Sequence, residues 1–188
     1  GRRFVRQVNL AGRKRIMDIG GGSGAYCIAA AKEHAGIRAV VLDLPVVCEV
    51  TREFIAENGV ADRVEAQACD FTRDPFPAGC DVAIMASNLP MYSRETIAGV
   101  IRKAHDALLP GGEMHLIGET TNDERTGPWG PAYWGLGQAI GGFEKVDRVA
   151  GRRSVEHDAV EVPRGHQGVK SLDGRVLVHS AHLERPRG

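Results

Sequence analysis

Arg15-Ile16-Met17-Asp18-Ile19-Gly20-Gly21-Gly22-Ser23-Gly24, followed by the helix-like run AYCIAAAKEHAG at 25–36, decides the fold. An apolar run too short for a helix meets a block of glycine, and small apolar residues at helical spacing follow. That order is a strand, a tight loop and a helix packed back on the strand. The pattern then repeats. Residues 38–42 (RAVVL) read as a second strand, and Pro45 opens a helix that ends at Asn58-Gly59. Residues 64–68 alternate as a third strand, and 81–86 (DVAIMA) form an apolar fourth. Residues 93–109 place Ile97, Val100, Ile101, Ala104 and Leu108 on one helical face. Pro110-Gly111-Gly112 turns the chain into a fifth strand, EMHLIGE. Strands alternating with helices imply a doubly wound α/β fold with a mostly parallel sheet covered on both faces.

Composition narrows the function. The 188 residues suit one domain with one sizeable core. The 24 basic groups balance 24 acidic ones, so no overall charge favours nucleic acid or an anionic membrane. Residues 1–15 hold six basic groups and no acid, which reads as a basic linker or first helix; residues 16–143 carry a net charge of −8. An acidic centre does not suit a phosphate-backbone binder. No apolar run reaches the ~20 residues of a spanning helix, and the basic, interrupted start does not read as a signal peptide. Cys27, Cys48, Cys69 and Cys80 show no CxxC pairing and read as reduced thiols of a cytoplasmic protein. Arginine outnumbers lysine 19 to 5, the codon bias of a GC-rich bacterial genome.

Open parallel sheets bind ligands beyond the carboxyl ends of their strands, so the first glycine loop is the expected site. Two cofactors compete for it. Gly20-x-Gly22-x-x-Ala25 with Asp43 satisfies a dinucleotide fingerprint. Three features favour a different nucleoside. Asp18, two residues before the first glycine, can anchor the loop and meet a cationic amino-acid portion. Asp70, after strand three, can accept from an adenine amino group beside the packing surface of Phe71. A loop of this type also has no need of a pyrophosphate. No Tyr-x-x-x-Lys pair supports an oxidoreductase.

These residues bring the chain close to a known family. Residues 17–24 (MDIGGGSG), 42–47 (LDLPVV), 69–71 (CDF), 108–113 (LLPGGE) and 118–119 (GE) stand in family order over roughly 15–142. The chain resembles the S-adenosylmethionine-dependent methyltransferases, and within them the caffeate-type and antibiotic-pathway O-methyltransferases. The resemblance implies that S-adenosyl-L-methionine is the cofactor. Gly20 and Gly22 would face its methionine part, Asp43 and Leu44 the ribose, and Asp70 and Phe71 the adenine. It also implies methyl transfer to a hydroxyl or other nucleophile of a small, secondary-metabolite substrate, with Glu119 matching an acid that flanks the catalytic base. A truncated or degenerate cofactor-binding homologue with little turnover is the alternative.

The chain departs from that pattern in three places. Aligned on the family's His-Asp-Trp segment, Pro90 takes the histidine's place, Met91 follows and Tyr92 takes the tryptophan's. From its start just before strand one, the chain is expected to carry no N-terminal helical domain of the kind that dimerises family members and closes one wall of their pocket; a homodimer is left open for a longer form that carries it. Residues 144–188 match the family's closing strands poorly, although 176–183 alternate and Asp173-Gly174 suits a hairpin turn. A divergent pair of strands and a changed reading frame both remain open there. His157, His166, His179 and His182 lack metal-ligand spacing and read as surface residues, so no metal is expected. Trp129, Tyr133 and Trp134 follow strand five, where substrate-lining and simple packing fit equally.

Overall fold

Alternation along the strands sorts side chains onto two opposite faces of one sheet. In this computed structural model, residues 1–88, 91–118, 129, 170–172 and 176–182 are described, the last two segments as backbone. The elements are α1 (Arg2–Gln7), β1 (Arg15–Ile19), α2 (Ala25–Glu33), β2 (Arg38–Asp43), α3 (Pro45–Glu57), β3 (Val64–Ala68), β4 (Cys80–Ala86), α4 (Arg94–Ala107), β5 (Leu108–Gly118), β6 (Lys170–Leu172) and β7 (Val176–His182). The strand order is β3-β2-β1-β4-β5-β7-β6. The first five strands run parallel. β7 lies antiparallel to β5, from Glu113 opposite His182 to Gly118 opposite Leu177, and β6 pairs antiparallel with β7. The Asp173-Gly174 turn, Pro90, Glu119, Tyr133, Trp134, His157 and His166 lie outside the described residues.

Ile16, Val41, Val82 and Ile84 point to the face covered by α1 and α2, where Phe4, Cys27, Ile28, Ala30 and Ala31 bury. Met17, Ile19, Val40, Leu42, Ala83, Met85 and Met114 point to the other face, under Ile97, Val100 and Ala104 of α4. Each fully buried aliphatic chain of this kind contributes roughly 1.5–3 kcal/mol, and Ile84→Ala would cost about 2–5 kcal/mol through the cavity it leaves.

Local signals set the ends of the helices. Pro45 starts α3, and Gly59, at φ +67°, takes the left-handed conformation just past its Asn58 cap. Ser93 caps α4 by accepting from the Thr96 amide at 3.2 Å; such a cap is worth ~1 kcal/mol. One expectation is corrected at Pro110-Gly111-Gly112. The sequence predicts a turn that precedes the strand, whereas β5 already pairs at Leu108 with Cys80. The register then shifts, and Val82 faces Glu113. The Pro-Gly-Gly segment is a bulge inside the strand, with Gly111 at φ +76°. Arg13 secures it from outside by donating to the Gly111 carbonyl at 3.0 Å and pairing with Glu113.

Candidate functional site

The carboxyl ends of β1 to β4 meet at one edge of the sheet, and a cavity of about 360 Å³ opens there. Small-molecule sites occupy about 300–1,000 Å³. Gly20 enters it from β1, Asp43 and Leu44 from β2, Cys69 to Thr72 from β3, and Asn88, Met91 and Tyr92 from the segment after β4. Five of the sequence-predicted residues, Gly20, Asp43, Leu44, Asp70 and Phe71, therefore share one wall. Asp18 and Gly22 do not line it; they build the loop behind it.

Backbone geometry demands glycine in that loop. Gly20 sits at φ +65°, and a Cβ there would lie 2.4 Å from Asn88 Nδ2. Gly21 has ordinary φ, but its Cβ would lie 2.7 Å from Asp18 Oδ2 and from Val41 Cγ1. The loop is tied on three sides. The Gly20 amide donates to Leu42 O at 2.8 Å. The Gly22 amide donates to Asp43 Oδ2 at 2.8 Å, while Asp43 Oδ1 accepts from the Leu44 amide at 2.8 Å. The Thr51 hydroxyl lies 2.6 Å from Gly22 O and 2.8 Å from Val47 O. Thr51 is fully buried, so α3 supports the loop from beneath.

Asp18 is fully buried under Gly21, and its Oδ1 has no hydrogen-bond partner among the described residues. Burial, reinforced by the charge of Asp43, pushes its carboxyl up to about 7. A buried carboxylate without a cation costs free energy, and a cationic group arriving above the loop would recover it.

Asp70 stays ionised for the opposite reason. Its Oδ1 accepts from the Thr72 hydroxyl at 2.6 Å and the Thr72 amide at 3.0 Å, and these bonds hold its carboxyl below the usual range. Lys103 of α4 steadies the same loop, donating to Phe71 O at 2.7 Å and Asp74 O at 2.5 Å, with its ammonium 4.4 Å from the Phe76 ring centre. Phe71 meets Tyr92 edge to face, ring centres 5.1 Å apart. Burial raises the Tyr92 phenol, and the charges of Asp70 and Asp43 add to the rise.

Thr51, Thr72, Asn88 and Lys103 escape a motif search because none belongs to a glycine loop. Position offers a signal for Asn88, which stands two residues past its strand, as Asp70 does past β3. His105 pairs with Asp106 on α4, and His115 is buried in β5 against Phe4, 3.6 Å from Glu113. Neither lines the cavity. Among the described residues, no group of three His, Cys, Asp or Glu is placed to hold a metal ion, and no helix is long and apolar enough to cross a membrane. All four cysteines are free and buried.

Comparison with known proteins places the chain among methyltransferases. Residues 1–132 match the O-methyltransferase domain family. Over 140 residues the chain is 32% identical to the 3-hydroxy-5-methyl-1-naphthoate 3-O-methyltransferase of Streptomyces sahachiroi, a stretch that covers 74% of this chain and 41% of that enzyme. It is 34% identical over 125 residues to the L-tyrosine C(3)-methyltransferase of Streptomyces lavendulae, covering 66% of this chain and 34% of the relative. The apo structure of the S-adenosylmethionine-dependent methyltransferase SibL superposes with a TM-score of 0.63 at 38% identity, over 69% of this chain and 37% of its own. The chain spans less than half the length of these relatives. With the fold, the glycine loop and a family match over residues 1–132 in agreement, the chain belongs to the O-methyltransferase domain family.

Proposed function

We propose that this domain binds S-adenosyl-L-methionine at the carboxyl edge of its sheet and presents the methyl group to a nucleophile of a small secondary-metabolite acceptor. The observation that carries the reading is the single cavity wall shared by Gly20, Asp43 and Asp70. The residues present fit the cofactor. Bare glycine backbone at Gly20 and Gly22 leaves room for its methionine part, with the buried Asp18 carboxyl below to meet the ammonium. Asp43 holds the ribose hydroxyls on lone pairs left after its two backbone bonds, beside the exposed Leu44. Asp70 accepts from the adenine amino group, and Phe71 packs on the ring. The likeness to SibL, an S-adenosylmethionine-dependent methyltransferase, supports the choice of cofactor. Residues 16–143 form the cofactor-binding unit, 1–15 its basic lead-in, and 144–188 supply the closing strands.

When bound, the cofactor supplies a methyl carbon made electrophilic by its sulfonium. The chain's contribution is placement. Asp43 and Asp70 would hold the nucleoside at two points, and the Phe71–Tyr92 pair lines the same cavity. Holding nucleophile and methyl in line supplies much of the acceleration. A general base adds only ~10²–10⁴-fold, and Pro90 stands where family members place theirs. Proline takes no proton, so the acceptor that suits this chain is one already ionised, such as an acidic phenol or a carboxylate. By the resemblance, Glu119 matches an acid that flanks the base in family members, and we assign it as the catalytic acid of this reading. Pro90 also favours a second reading, a cofactor-binding homologue with little turnover. Partners are small molecules rather than nucleic acid or membrane, a longer form carrying an N-terminal domain would form homodimers, and four buried free thiols suit the reducing cytoplasm.

Titration calorimetry with S-adenosylmethionine, S-adenosylhomocysteine and NAD tests the reading. Binding of either sulfur nucleoside is expected, and binding of NAD alone would overturn it.

A further inference from the structure

Asn88 is bound to both sides of the site. Its Nδ2 donates to Ile19 O at 3.0 Å and to Gly20 O at 3.2 Å, the last carbonyl of β1 and the first of the glycine loop. Its backbone carbonyl accepts from the Met91 amide at 3.2 Å, and Met91 and Tyr92 also line the cavity. The aim of the side chain is set by Ser87. This residue takes φ +62°, the only positive φ at a non-glycine position among the described residues. Its amide donates to Ile117 O on β5 at 2.8 Å. A left-handed serine is costly unless the surroundings hold it there, and such strain concentrates where a side chain must be aimed. Gly20 is held through both of its backbone groups, its amide donating to Leu42 O and its carbonyl accepting from Asn88. The requirement for glycine at 20 follows from the same contact, since a Cβ would strike the Asn88 amide.

We infer that Asn88 is a positioning residue of the cofactor site: through the Ile19 and Gly20 carbonyls it holds the glycine loop in its binding conformation and locks that loop to the segment carrying Met91 and Tyr92. The inference rests on the cofactor reading above. The two carbonyls at the end of β1 accept from the Asn88 amide, and a side chain of the same shape without that donor turns oxygen toward both. Asn88→Asp is that side chain. Ionised, it sets a carboxylate against two carbonyl oxygens; protonated, it regains one donor. Among the described residues, the other titratable groups around the site are Asp18 under the loop, Asp43, Cys69, Asp70 and Tyr92. All are shared with the parent chain, so the ratio of variant to parent isolates residue 88.

The test is calorimetric titration of the full chain and of N88D and Asn88→Ala with S-adenosylhomocysteine between about pH 8 and pH 5, with thermal midpoints alongside. N88D is expected to bind about tenfold or more weakly than the parent at the upper pH, and the gap should narrow as the pH falls. N88A should lose affinity by a factor that does not change with pH. A mere loss of packing would give both variants the same flat ratio, and that result, or unchanged affinity in N88A, overturns the inference while leaving the cofactor reading intact. If N88D fails to fold at the upper pH, N88A decides by the same criterion of affinity. Failure of the parent itself to bind S-adenosylhomocysteine overturns both.

Discussion

Asp43 Oδ2 accepts from the Gly22 amide at 2.8 Å, so the last residue of β2 holds the loop that follows β1. The same carboxylate turns its other oxygen to the Leu44 amide. One side chain thereby joins two strand ends and faces the cavity. Asp43→Ala should weaken S-adenosylhomocysteine binding by about 10–100-fold, since a charged hydrogen bond contributes ~1.5–3 kcal/mol. Asp43→Asn keeps the shape but turns an NH₂ toward one of two backbone donors, so its thermal midpoint should fall as well. Calorimetry and thermal unfolding together check both.

Gly21 and Gly22 should fail for different reasons. Gly21→Ala drives a Cβ to 2.7 Å from Asp18 and Val41 in the folded core, an overpacking of about 1–3 kcal/mol. Gly22→Ala meets nothing within 4 Å but sits at φ +54°, a backbone cost of about 1–2 kcal/mol. Denaturant midpoints should drop in both. Asp18→Ala should partly rescue Gly21→Ala by removing one colliding group and should leave Gly22→Ala unrescued.

Asp18 gives the stability a definite pH slope. Its carboxyl rises from an ordinary 3.8 to about 7 in the folded chain. Between those values the folded state holds a proton that the unfolded state has released. The group's contribution is full below about pH 4 and is lost as the pH climbs through about 7. Thermal unfolding of Asp18→Asn should show a flatter profile over that window. A cation bound above the loop favours the ionised form, so cofactor binding near neutral pH should release a proton. Calorimetry in buffers of different ionisation enthalpy would read that release, and D18N should abolish it.

Lys103 is expected to act on affinity through the Asp70–Asp74 loop. Lys103→Met removes the donor shared by the Phe71 and Asp74 carbonyls and should weaken nucleoside binding about tenfold. Lys103→Arg should recover part of the loss. Equal affinity in all three proteins would show that the loop holds its shape without α4.

Turnover, where an acceptor is found, should rise with pH as that acceptor ionises and show no histidine step near pH ~6.5. His105→Ala should leave the rate unchanged, because His105 pairs with Asp106 outside the cavity. His115→Ala should lower stability through its contact with Phe4 and leave the pH profile in place. A steep loss of rate in His105→Ala would place the base on α4.

Local patterning alone determined most of the fold. Residues 15–19, 64–68 and 81–86 alternate or run apolar because buried parallel strands require it, and Pro45, Gly59 and Ser93 mark helix ends through chemistry confined to one turn. Gly20, Asp43 and Asp70 were legible for the same reason: each stands at or just past the carboxyl end of a strand, where an open α/β sheet gathers its ligand. The tertiary structure decided the rest. Nothing near Pro110 in sequence announces that Leu108 already pairs with Cys80, because a bulge is defined only by the partner strand. Thr51 under Gly22, Lys103 on the Phe71 carbonyl and Asn88 on the Gly20 carbonyl each act across 29 to 68 residues of chain. Their polar groups are ordinary until the sheet twists four strand ends together; then each becomes the donor or support that a distant backbone group lacks.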